Sequence, residues 1–238
     1  MVILPTRQRA IGVEPGIRKR SKGVVDQSTR LPMGRSSEAK EKLIAAAADE
    51  LWRGSYGSVG VGALCAAAGV KRGSFYYFFE SKDDLVLAAL EHAWERLGQR
   101  FEEAREATGE PPLRRLGRLF ESIAALHEGF RKESGVVPGC PFGNLGVELG
   151  AIHPQVQERV ASIFGRARKH LIALLREIDG QDTAFQELEE RAEQILGCLQ
   201  GAQVLAKIHA DPDAIRRMAP VAVGLACGTV ESAATADA

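Results

Sequence analysis

The chain has 238 residues, 45% of them hydrophobic, and its 31 basic and 31 acidic side chains cancel to a net charge of zero. That length and apolar content support one small and one larger domain, and the absence of any apolar run near the roughly 20 residues of a membrane span, or of a secretion signal, points to a cytoplasmic protein without a membrane partner. The four cysteines, Cys65, Cys140, Cys198 and Cys227, are far apart and make no Cys-x-x-Cys pair, which argues against a disulfide framework or a zinc site.

Charge is unevenly spread. Residues 1–36 hold eight basic residues against Glu14 and Asp26, a net +6 that the remainder offsets. Mixed with Gly, Pro and Ser and without helical or strand period, they read as a disordered basic arm. Such an arm is suited to lie along a DNA backbone, to be a solvated tail, or to precede a true start at Met33. Ser36 or Ser37 then caps a helix running to about Trp52, with Leu43, Ile44, Ala47, Ala48 and Leu51 on its apolar face and Gly54 after its end.

The stretch from Ser58 to Lys82 carries the clearest pattern. A short apolar helix at about 59–68, a glycine turn at Gly69 and a second short helix at about 71–78 form a helical hairpin. Phe75, Phe78 and Phe79 fall at i, i+3 and i+4 and make one buried stripe. Lys71, Arg72, Ser74, Tyr76 and Tyr77 then face elsewhere, a combination suited to an anion. Ser81-Lys82-Asp83-Asp84 caps a long helix that reaches about Ala107 before Gly109-Glu110-Pro111-Pro112 breaks it.

Further helices follow from Leu113, from Pro141 with Cys140 at its cap, and from Pro154, the prolines favouring first helical positions. Two more, at about 183–209 and 212–227, precede a frayed tail from about 229. The total is all-α, about nine helices without a convincing strand. The domains are then an arm (1–36), a three-helix unit (37–82), a larger body (83–228) and the tail (229–238). Gly197, Gly201 and Ala202 on the penultimate helix would admit a close neighbour, from a second subunit or from the same one.

The run Gly69-Val70-Lys71-Arg72-Gly73-Ser74-Phe75-Tyr76-Tyr77-Phe78-Phe79, with Lys82 and Leu85, resembles the DNA-binding signature of TetR/AcrR-family transcriptional regulators. That resemblance implies a helix-turn-helix and a homodimer on a palindromic operator. It also implies a C-terminal body that takes a small-molecule effector and thereby releases double-stranded DNA. On a helix-turn-helix the second helix enters the major groove. Arg72 is then the candidate for guanine readout, and Lys71, Tyr77 and Lys82 suit phosphates. Tyr76 can do either, Ser74 can bond a base edge, Gly73 belongs to the matched run, and the helix start near Gly60 offers backbone N–H groups to a phosphate. Two positions depart from the signature: lysine replaces a capping serine at Lys71, and Phe78 cannot supply a polar backbone contact.

Gly139-Cys140-Pro141-Phe142-Gly143-Asn144-Leu145 resembles a Gly-Cys-x-x-Gly-Asn-Leu segment in one branch of that family, which includes regulators responding to acrylate-type or other small reactive compounds. Asn144 and Glu148, four apart, can both point into a pocket, or be a capped turn and a solvated glutamate. Cys140 at a helix start is either a dipole-activated thiol, hence a redox or electrophile sensor, or a small buried hydrophobe. His127, Gln200 and Gln203 interrupt apolar helices and are cavity candidates or satisfied structural groups. No glycine-rich phosphate loop or metal spacing is present, so no enzyme activity and no cofactor are expected. A regulator that recruits a protein partner without sensing a metabolite is the alternative.

Overall fold

A computed structural model describes the backbone of residues 33–228, with side chains from residue 38 onward. Among these residues there are nine helices and no strand: α1 (Met33–Arg53), α2 (Val61–Ala67), α3 (Arg72–Phe78), α4 (Lys82–Glu106), α5 (Pro112–Ser134), α6 (Pro141–Leu149), α7 (Pro154–Asp179), α8 (Phe185–His209) and α9 (Asp213–Ala226). None of them is long and apolar enough to cross a membrane. The expected arm up to residue 32 and the tail from 229 lie outside the described residues. One boundary differs from expectation, since α1 begins at Met33 and runs through Ser36 and Ser37 rather than starting at either. Glycine and serine each disfavour a helix by no more than about 1 kcal/mol, too little to stop it.

The small unit is built around Leu43, Ala47, Leu51, Leu64, Cys65 and Phe75, all buried. Cys65 is thus core, and burial raises its thiol pKa. The hairpin turns at Gly69, whose φ of +65° is the left-handed conformation glycine adopts without strain. Phe79 is buried beside Phe75, whereas Phe78 is only half-buried at the edge of the stripe. Ser81 opens α4 with a reciprocal cap: its hydroxyl accepts from Asp84 N–H at 3.1 Å, and the Asp84 carboxylate accepts from Ser81 N–H at 2.9 Å.

α4 ties the molecule together. Its first half, through Leu85, Ala89, Leu90 and Ala93, shares one apolar cluster with the small unit and with Phe142, Leu145 and Leu149 of α6. Its far end, at Phe101 and Ala104, belongs to a second cluster formed by α5, α7, α8 and α9. Glu91 of α4 accepts from both Arg159 (3.0 Å) and Arg166 (2.9 Å) of α7, and Arg166 also lies 5.0 Å from the Trp94 ring centroid. The buried guanidinium of Arg115 bonds the Ala104 and Arg105 carbonyls at the end of α4 and pairs with Glu177. Arg191 does the same for α9, bonding the Leu225 and Ala226 carbonyls while paired with Asp179.

Gly98 marks a tight place on α4, where an added Cβ would lie 2.7 Å from Trp94 Cε2. A rigid indole cannot give way as a flexible chain end does. Gly98→Ala is therefore expected to destabilise the fold by about 1–3 kcal/mol, although alanine is the better helix former. Urea denaturation of the variant checks this, and a gain in stability would contradict it.

Candidate nucleic-acid interface

The outward face of α3 carries a compact polar set. Lys71 sits at the N-cap in extended conformation and Arg72 is the first helical residue, followed by Gly73; all three are exposed. No side chain caps the first turn of α3, the consequence expected from lysine in place of serine. Tyr76 and Tyr77 are 57% and 75% exposed, an uncommon state for two large aromatics in succession and one suited to contact with a duplex. Their rings rest edge-on against Phe75 (5.0 Å) and Phe78 (4.9 Å), which fixes where the hydroxyls point. Ser74 is half-buried beneath them. At the neighbouring α2, Gly60 is an exposed N-cap that supplies no side-chain acceptor, so the first-turn N–H groups have none from their cap.

Lys82 is placed differently from its neighbours in the motif. Its ammonium bonds the Tyr56 carbonyl and lies 3.7 Å from the centroid of the Tyr56 ring. Partial burial lowers its pKa, while Glu148 and Asp83 act the other way. Lys82 thus braces the α1–α2 loop rather than extending freely toward a phosphate.

Behind the small unit, an open cleft of about 700 Å³ lies between the α1–α2 loop and helices α6, α7 and α8. Four of the expected ligand residues, Cys140, Asn144, Glu148 and Gln200, line it, with Val147, Phe164, Val204 and Lys207. Cys140 and Gln200 also border a small inner chamber of about 30 Å³, walled by Trp94, Phe101, Phe142 and Gln203. The Gln200 side chain of α8 reaches over α6 here, since a Cβ on Gly143 would lie 2.9 Å from Gln200 Oε1. His127 lines neither space. It is fully buried on α5, and burial lowers its pKa to about 4 against the opposing influence of the neighbouring Gln203 side chain.

Two of the polar groups lining the cleft are also tied to backbone. Asn144 does not offer its amide nitrogen to the cleft, because Nδ2 donates to the Pro138 carbonyl at 2.8 Å. Glu148 is exposed, as a solvated glutamate would be, but it is not free, because its two oxygens accept from the backbone N–H groups of Tyr56 (2.9 Å) and Gly57 (3.0 Å). Cys140 does sit at the N-cap of α6, with Sγ accepting from Gly143 N–H at 3.4 Å. Yet burial dominates the helix-terminus effect and raises its thiol pKa, which weakens the sensor reading. Gln203 is buried, and its Nε2 donates to the Leu199 carbonyl of its own helix at 3.5 Å.

The sequence matches the family description "Bacterial regulatory proteins, tetR family" over residues 43–89. It matches "Tetracyclin repressor-like, C-terminal domain" over residues 112–221. Transcriptional regulator AcuR of Cereibacter sphaeroides is 32% identical over 183 residues, covering 75% of this chain and 80% of that protein. The chain belongs to the tetR family. The transcriptional repressor DhaR of a Mycobacterium species is 33% identical over 133 residues, 56% of this chain and 62% of that protein. The crystal structure of a TetR regulatory protein from Rhodobacter sphaeroides superposes with a TM-score of 0.67 at 28% identity, covering 78% of this chain and 97% of that one.

As a TetR-family member the protein is a DNA-binding transcription regulator and not an enzyme. In this TetR chain the helix-turn-helix is α2–α3. Apart from Glu148 and Lys82, the residues whose contacts join the DNA-binding unit to the body were not among the expected site residues. The Trp52 indole N–H donates to the Gly139 carbonyl at 2.7 Å, and the Tyr56 hydroxyl donates to Asp83 at 2.6 Å. Asp83 also pairs with His153 Nδ1 at 2.8 Å, while the Tyr56 pKa is raised to about 12, chiefly by burial. The only sequence signal for them was an aromatic residue on either side of Gly54, too little to identify partners 87 and 27 residues away.

Proposed function

We propose that the protein is a homodimeric repressor that holds a palindromic operator through α3 and releases it when a small molecule occupies the cleft behind α6. The observation that carries this reading is the position of the cleft. Its wall includes Gly54 and Ser55 of the DNA-binding unit as well as Cys140, Gln200 and Lys207 of the body. An occupant there touches both parts and can favour one relative placement over another, which is the differential affinity that ligand coupling requires. A volume of about 700 Å³ is in the range of small-molecule sites, and the wall is mainly apolar with few polar groups to orient a ligand.

Dimerisation is supported by apolar side chains left exposed on the last two helices. Leu205 and Ile208 of α8 and Val221 of α9 are between 44% and 68% exposed. Added Cβ atoms at Gly197 and Gly201 meet only open space, as expected where a second copy approaches closely. Two copies would set two α3 helices on successive major-groove faces, about one helical turn apart, and so match a two-fold site.

The test is recovery of the DNA bound by the tagged protein in its host, followed by titration of the protein–DNA complex with candidate metabolites while Trp94 fluorescence is followed in a Trp52→Phe background. Trp94 lines the inner chamber and reports on occupation nearby. The expected result is one or a few two-fold symmetric sites, two protomers on each, and a metabolite that changes the fluorescence and frees the DNA over one concentration range. Many dispersed sites indifferent to every metabolite would instead favour recruitment of a protein partner.

A further inference from the structure

We propose that Glu148 is a positioning residue for DNA binding: from the cleft wall it grips the α1–α2 loop by two successive backbone amides, a direct connection from α6 to the DNA-reading unit that bypasses α4. The ligand's part in this rests on the cleft being an effector site; the positioning role does not.

The loop is held on several sides by charged or polar side chains from outside it. Glu148 takes the N–H groups of Tyr56 and Gly57 at 2.9 and 3.0 Å, one on each carboxylate oxygen. Lys82 takes the Tyr56 carbonyl and covers its ring. Asp83 takes the hydroxyl, and His153, paired with Asp83, lies ring to ring with Tyr56 at 5.4 Å between centroids. Glu148 is exposed, so water weakens each bond, but a carboxylate on two peptide N–H groups at once still forms charge-assisted bonds that are directional. They require α6 and the loop to keep their separation within a few tenths of an ångström.

What the loop carries makes the grip consequential. Four residues beyond Tyr56 comes Gly60, the N-cap of α2, and α2 leads through Gly69 directly to α3. At the other end of α6, Trp52 holds the Gly139 carbonyl, so the short helix is attached to the DNA-binding unit at both ends. Cys140 and Asn144 lie on the same helix and line the cleft, so a ligand that displaces α6 stretches the Glu148 bonds before α4 need move. An intact grip keeps α2 and α3 where two copies must place them to read one operator. A broken grip leaves the helices folded but their placement loose. Non-specific binding, which needs only phosphate contacts, tolerates this; operator binding does not.

The experiment compares wild type, Glu148→Ala and Glu148→Gln without any small molecule, so the absence of an effector would not affect the outcome. Affinity is measured by fluorescence anisotropy on the recovered operator duplex and on a random duplex of equal length. Amide exchange at Tyr56 and Gly57 is followed by NMR. Glu148→Ala is expected to speed exchange at both amides and to weaken operator binding about 10-fold or more, within the usual span of coupling between sites, with random-duplex binding unchanged. Glu148→Gln, which keeps one acceptor oxygen, should fall between. The proposal is overturned if operator affinity stays within about twofold of wild type, or if operator and random affinities fall together with the melting temperature, the signature of a merely structural residue.

Discussion

Arg72→Ala is expected to weaken operator binding by about 1–3 kcal/mol per subunit, a factor of roughly 5–150, while affinity for random duplex falls far less. Arg72 opens α3 and is exposed. The N-terminal residues of a recognition helix are the ones that meet base edges, and a planar guanidinium can donate to O6 and N7 of one guanine at once. Alanine removes both bonds and leaves those acceptors without a protein donor. Two subunits on a two-fold site would double the free-energy loss. Lys71→Ala provides the contrast, because a flexible ammonium beside the helix end suits a phosphate. Its loss should weaken both duplexes alike and lower the salt dependence of binding by about one ion. Anisotropy titrations of each variant on both duplexes separate these outcomes, and equal losses for Arg72→Ala on both would remove it from base readout.

The second large effect concerns acid stability and His127. The ring is fully buried, and its pKa is lowered to about 4 because burial penalises the charged form by more than the neighbouring Gln203 side chain favours it. In the unfolded chain an ordinary histidine protonates near 6.5. Between these values the unfolded state takes up a proton that the folded state refuses, so stability is whole above about pH 6.5 and declines as pH falls toward 4. At about 1.4 kcal/mol per pKa unit the loss at pH 4 amounts to roughly 3 kcal/mol. His127→Leu, similar in volume and apolar, should remove that part of the slope while leaving stability at pH 7 equal or higher. His170 is also lowered by burial, so a smaller acid dependence will remain. Urea denaturation of both proteins at pH 7 and pH 4 is the check, and identical losses would contradict a charge-intolerant site at His127.

The sequence foretold those parts of the fold that depend on neighbours a few residues apart. Apolar residues at helical spacing located the helices, Ser81 and Asp84 marked the start of α4, and Pro141 and Pro154 marked α6 and α7. The exposed face of α3 was legible because the phenylalanine stripe claims one side of a seven-residue helix and leaves the other to Lys71, Arg72, Tyr76 and Tyr77. The cleft was less so. Cys140, Asn144, Glu148 and Gln200 were gathered as candidates, and they do meet, but what each does depends on distant partners. Glu148 belongs to a loop 92 positions earlier, and no local pattern announces it. Asn144 turns back to a carbonyl six residues away, and Cys140 is governed by burial in an apolar cluster with Trp52, Phe130 and Phe142 that only the tertiary packing creates. Lys82 matched the signature position yet braces Tyr56, because the loop folds over it.

Sequence selection from a random duplex pool, run in parallel on wild type and Arg72→Ala, bears most directly on DNA reading by α3. Wild type should enrich a two-fold symmetric sequence with half-sites about one helical turn apart, including a guanine that the variant no longer requires while the rest of the sequence persists. Enrichment of the same sequence with the same strength at every position by both proteins, or of no symmetric sequence by either, would contradict it.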